Sequence, residues 1–182
     1  MTEVQPVKII TVQKGQSLPQ KYTVPPAAKR NIPLYEGLKT KRVERLVAVN
    51  NKNEVVGCAG YTQPGNGIGA AKQLFSNPGY VDYYRRTPVA AKHFLVAETE
   101  RRLSPTKRID LGWIGSIQPG VGTKLVDKLK SVGRSRGVKV IDGYTRNSAI
   151  GFYKKQGATS TTEKIGRCKY YAWKIKTNGR RK

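Results

Sequence analysis

A chain of 182 residues suits one domain and is long enough to bury a core. Its 35 Lys and Arg stand against 11 Asp and Glu, and the formal net charge of +24 sets up a field that attracts polyanions and repels basic peptides. The chain has no apolar run of the ~18 residues that a membrane-spanning helix needs, and its opening MTEVQPVKIITV lacks the charged-then-apolar form of a signal peptide, so a cytoplasmic protein with no membrane span is expected.

The run 7–12 reads as a β-strand. The stretch after it carries prolines at 19, 25, 26 and 33, which bar a long regular helix through its middle. Residues 43–50 and 54–62 are strand-like around the Asn-rich turn 51–53, a hairpin signature. Residues 63–107 read as an insertion. It holds a PGNGIG loop, the tyrosine- and arginine-rich YVDYYRR, and a helix over 87–103 capped by Thr87, with Pro88 at its first position and Ser104-Pro105 as its stop.

Residues 108–117 form the next strand, followed by a QPGVG turn. The segment 123–137 is an amphipathic helix with Leu125, Val126, Leu129 and Val132 on one face and Gly137 as its C-cap. A short buried strand over 138–144 leads to a helix that begins at Asn147 or Ser148 and ends at Gly157. Strand-like runs at about 158–165 and 168–175 close the chain. The order predicts an α/β fold on a single mixed, mostly antiparallel sheet with flanking helices, occupying 1–176, with 177–182 as a basic tail. Cys58 and Cys168 lie far apart without a CxxC pattern; both read as reduced and buried in strands, with a disulfide as the alternative.

Two stretches invite a chemical reading. In IQPGVGTKL a strand runs into a glycine turn that opens a helix. Gly120 and Gly122 let the backbone approach a phosphate, the helix N-terminus adds positive potential, and Thr123 offers a hydroxyl. A plain tight connection explains this stretch by itself equally well; it is neither a Walker A loop nor the full dinucleotide fingerprint. In NSAIGFYKKQGA, Ala149, Phe152 and Gln156 share one helical stripe, so Phe152 is the expected core anchor. Tyr153 lies about 100° round the helix from it. It is either a rim residue with its hydroxyl in water or a phenol placed to give a proton to a leaving group.

Together these stretches give residues 108–158 a resemblance to the core of the GNAT superfamily of N-acetyltransferases. Its second-helix signature, N-x-x-A-x-x-F-Y-x-x-x-G-[FA], is matched at Asn147, Ala149, Phe152, Tyr153, Gly157 and Ala158, with Asn147 and Ala149 one place closer together than in the pattern. Its loop, [QR]-x-x-G-x-[GA], is matched at Gly120 and Gly122, with Gln118 shifted by one from the position that Ile117 holds. The resemblance implies acetyl transfer from acetyl-CoA, the co-substrate, to an amine, with strands 108–117 and 138–144 splayed at the cofactor cleft. It implies that the pantetheine arm pairs with the backbone from Trp113 to Ile117 and that amides of Gln118, Gly120, Val121, Gly122 and Thr123 hold the pyrophosphate. Asn147 would contact the arm, Tyr153 would protonate the departing thiolate, and Asp110 or Glu54 is the nearest candidate base.

The lone His93 reads as structural, and no cluster with metal-ligand spacing is present, so no metal is expected. An N-acetyltransferase working near or on an anionic partner is thus one reading. The alternative is a non-catalytic basic protein of the same fold that binds RNA, DNA or the ribosome, or is packaged in a virus or phage particle. The tyrosines beside Arg85 and Arg86 suit base stacking, or equally a solvated loop.

Overall fold

A computed structural model describes residues 6–64, 99–100, 102–104, 106–165 and 168–178. The PGNGIG loop beyond Pro64, YVDYYRR, His93 and most of the helix expected over 87–103 fall outside the described residues; at 99–100 and 102–103 the chain is helical. Among the described residues no helix is long and apolar enough to cross a membrane. The chain divides into two compact units, Met1–Thr62 with Asp110–Ser135, and Gln63–Ile109 with Arg136–Lys182. All seven strands belong to one open mixed sheet with flanking helices, as the element order predicts.

In the first unit β1 (Lys8–Val12), β2 (Glu44–Val49), β3 (Val55–Thr62) and β4 (Arg108–Ser116), the last from Asp110 onward, pair antiparallel in chain order. The β2–β3 hairpin closes because Asn50 Oδ1 accepts from the N–H groups of Lys52 and Glu54 at 3.0 and 2.9 Å, while Asn53 takes the left-handed backbone (φ 59) that asparagine tolerates. The proline-rich segment becomes two short helices, α1 (Pro26–Arg30) and α2 (Ile32–Lys39), each with a proline in its first turn, where no N–H is needed. The sequence reading stopped short of α2, whose Leu34 and Leu38 enter a cluster with Val12, Tyr22, Val47, Val49 and Cys58.

Arg45, only 1% exposed, donates to the Leu38 carbonyl at 2.5 Å and to the Gln16 carbonyl, so it caps the last turn of α2 and ties it to the loop after β1. Trp113 completes this layer. A Cβ at Gly37 or at Gly60 would lie 2.0 or 1.9 Å from its indole ring, so both glycines are the hollow that receives it. On α3 (Val121–Ser135), Leu125, Val126 and Leu129 are buried, each contributing about 1.5–3 kcal/mol relative to exposure. The helix begins at Val121, not at the expected 123. Gly120 makes the turn with φ +77, and its carbonyl accepts from Lys124 N at 3.1 Å.

In the second unit β5 (Val140–Arg146), β7 (Cys168–Lys176) and β6 (Thr159–Ile165) are antiparallel neighbours with β7 central. The helix α4 (Asn147–Lys155) ends where Gly157 takes φ +87. Thr177 is 2% exposed, its Oγ1 donates to Val138 O at 2.8 Å and its N–H to Lys139 O at 3.0 Å. It therefore belongs to the folded body and not to the tail that was expected to begin there. Arg108 is also withdrawn from the basic surface: it is 6% exposed, with its Nε 3.8 Å from Asp142 Oδ2.

Candidate functional site

The glycine turn grows out of a strand end that is held firmly. Ile117 N donates to Val56 O at 3.0 Å, which commits that N–H to β3 and leaves it nothing to offer a ligand. Ser116 O accepts from Asn31 Nδ2 at 3.2 Å. Beyond them Gln118 is half-buried, Pro119 and Gly120 are exposed, and Val121 is fully buried. Val121 sits against Gly57, where a Cβ would come within 2.6 Å of its Cγ1, so the first turn of α3 lies close on β3. Val121 N faces Gln118 O at 3.4 Å, a weak contact.

The first turn of α3 directs backbone N–H groups out of the helix end, with the positive pole of the helix behind them. Helix N-termini favour acidic side chains, yet this first turn has none, and Lys124 occupies it instead. Gly120 removes any Cβ from the approach. The residues Gln118, Gly120, Gly122 and Thr123 thus fit an anionic group supplied from outside, a pyrophosphate among them.

Trp113 and Asp110 lie on β4 of the same unit. The Trp113 side chain is taken up by the packing under α2, and the residue pairs opposite Gly60 of β3. Its Nε1–H has no partner at normal geometry, and it acts on the Cys58 thiol only as a weak donor. Cys58 is a free, fully buried thiol pushed up to about 12 by burial, against the opposing charge of Arg45. Asp110 is half-buried opposite Thr62. Glu54 is committed to the hairpin turn, where its Oε2 accepts from Asn50 Nδ2 at 2.9 Å.

Tyr153 and Asn147 lie in the second unit, on α4. Asn147 is the first residue of the helix. Tyr153, not Phe152, is the core anchor: it is 6% exposed while Phe152 is half-buried. Its ring stacks on Trp173 with centroids 4.0 Å apart at 16°, and Phe152 meets it edge-on at 5.1 Å. Helical spacing does not reveal this preference, because the flat partner comes from β7. Burial pushes the Tyr153 hydroxyl up to about 12, so at neutral pH it is a protonated donor.

The same unit has a cavity of about 470 Å³ whose lining includes Glu100, Arg108, Asp142, Tyr144 and Lys174. Among the described residues no three His, Cys, Asp or Glu side chains gather as metal ligands would.

No protein-family model and no curated protein matches the sequence. Solved structures do. A protein from Desulfovibrio desulfuricans assigned to the GNAT family of acetyltransferases superposes with a TM-score of 0.55 at 14% identity, over 94% of this chain and 99% of that one. A variant of agmatine N-acetyltransferase in its apo form gives 0.57 at 11%, over 94% and 100%. A variant of the toxin AtaT, bound to the C-terminus of the antitoxin AtaR and acetyl-CoA, gives 0.54 at 13%, over 94% and 93%. At such identities the likeness concerns the fold: the chain has the GNAT acetyltransferase fold.

Proposed function

We propose that the protein is an acetyl-CoA-dependent N-acetyltransferase acting on an amine. The observation that carries this reading is the exposed Gly120, with φ +77, opening α3 without an acidic residue in its first turn, on a fold shared with an acetyl-CoA-bound protein. Bound acetyl-CoA supplies the acetyl group as a thioester. The backbone at Gln118, Gly120, Gly122 and Thr123 would hold its pyrophosphate. As the amine nitrogen bonds to the carbonyl carbon and the carbon–sulfur bond breaks, Tyr153 would give its hydroxyl proton to the sulfur. Asp110 is the candidate to receive the proton that the amine loses. A hydroxyl held protonated by burial suits a donor better than a base.

Titration calorimetry with acetyl-CoA is the test. Binding that disappears in Gly120→Glu supports the reading, and a wild type that takes up no heat at millimolar acetyl-CoA leaves the non-catalytic alternative in its place.

The charge favours a reading of the partner as well. Exposed basic residues occur in both units, among them Lys8, Lys14, Lys41 and Arg42 in the first and Lys139, Lys154, Lys155 and Lys176 in the second. A polyanion such as RNA, DNA or the ribosome would meet such a surface through phosphate contacts, with little sequence preference. The acceptor would then be carried by, or lie close to, that partner.

A further inference from the structure

We infer that Asn31 is a positioning residue for the anion-binding turn at 118–123; the inference rests on the acetyl-CoA reading only for the ligand that the turn receives. Asn31 stands between α1 and α2. Its Oδ1 accepts from Leu34 N at 3.1 Å, the ordinary N-cap bond, and its Nδ2 donates to Ser116 O at 3.2 Å. These partners fix the amide's orientation, because a backbone N–H needs the oxygen and a backbone carbonyl needs the NH₂.

Gly115 makes the contact possible. A Cβ there would lie 2.8 Å from Leu34 N and 3.1 Å from Asn31 Oδ1, so the first turn of α2 lies directly on β4. The next residue but one, Ile117, is tied by its N–H to Val56 O at 3.0 Å. The last two residues before the turn are therefore held from two elements, the α2 cap and β3. Only Gln118, Pro119 and Gly120 separate this anchored end from Val121, which is itself docked on Gly57. Such a short connection between two fixed ends has little slack. Release of Ser116 passes to the backbone that presents Gly120 and Gly122.

The cap by itself asks only for an acceptor, which Ser or Asp supplies as well as Asn. The donor to Ser116 is the function that only the amide performs together with the cap. Asn31→Ser and Asn31→Asp separate the two. Hydrogen exchange is followed at Ile117 and Lys124, the hydrogen-bonded amides on either side of the turn, and at the first turn of α2 in the free protein, and acetyl-CoA affinity is read by calorimetry. Both variants should melt near the wild type and keep slow exchange in α2. Exchange at Ile117 and Lys124 should quicken, and affinity should weaken about three- to tenfold, the scale of one hydrogen bond. Asn31→Asp should show the larger effect, since it sets a carboxylate against a carbonyl. Unchanged exchange at Ile117 and Lys124 in a folded variant overturns the inference. So does collapse of both variants, which would make Asn31 a residue of stability alone. Exchange is read without ligand, so a wild type that fails to bind acetyl-CoA would defeat the proposed function and still leave this inference to be decided.

Discussion

The Tyr153 ring lies flat against the Trp173 indole, centroids 4.0 Å apart and planes 16° from parallel. Stacking uses the ring and leaves the hydroxyl as a separate feature, so packing and chemistry can be tested apart. Tyr153→Phe should keep the stack and the melting temperature while turnover falls by ~10²-fold, the scale for a positioned general acid. Tyr153→Ala should instead cost about 3–5 kcal/mol of stability. Equal turnover in wild type and Tyr153→Phe would leave the tyrosine as core alone.

Gly120 is exposed and left-handed at φ +77. Alanine or glutamate there bears about 1–2 kcal/mol of backbone strain. Gly120→Ala should therefore melt lower and weaken acetyl-CoA binding modestly. Gly120→Glu adds a negative charge at the helix N-terminus and should abolish binding at a similar melting temperature. Two variants with equal affinity would mean that the turn does not receive an anion.

Trp113 fills the hollow left by Gly37 and Gly60. Gly60→Ala should cost about 1–3 kcal/mol or more by overpacking, because the ring would have to move. Adding Trp113→Leu should restore part of that loss, and the double-mutant cycle should show coupling. Additive effects in denaturant titrations would contradict the packing described.

Alkaline pH should destabilise the fold. Burial raises Cys58 from 9.0 and Tyr153 from 10.0, each to about 12. Both groups are neutral in either state below pH 9. Above that the unfolded chain ionises first, so stability is lost from about pH 9 for Cys58 and from about pH 10 for Tyr153, in each case through about 12, at roughly 1.4 kcal/mol per pH unit for each group. Melting temperature against pH is the measurement, and Cys58→Ala and Tyr153→Phe should each flatten the decline. A wild type equally stable at pH 8 and pH 11 would sink this account of the two side chains.

Polyanion binding, if the broad basic surface serves it, should weaken steeply with salt, with a log–log slope of about −0.7 to −0.9 per phosphate contact. Removing 177–182 is not a clean test, because Thr177 is part of the body; trimming 179–182 should lower affinity only modestly. Charge reversal at Lys154 and Lys155, exposed on α4, should lower it more. Filter binding with a flat salt response, or full loss on trimming the four tail residues, would leave +24 as a matter of solubility.

Periodicity and turn chemistry in the sequence determined the strands, the hairpin at 51–53, the two main helices and their glycine ends, because those depend on residues a few positions apart. The glycine turn at 118–122 and the pattern around Tyr153 were legible for the same reason. Tertiary structure decided what local spacing cannot encode. Tyr153 rather than Phe152 became the anchor because Trp173 comes from a strand twenty residues on. Trp113 turned to packing because Gly37 and Gly60 open a hollow for it, and Arg108 left the surface for Asp142. The short helix before β2 formed where prolines fell in first turns, and its Asn31 found Ser116 eighty-five residues away. Each of these is a contact between distant segments, and its energy exists only once the sheet has brought them together.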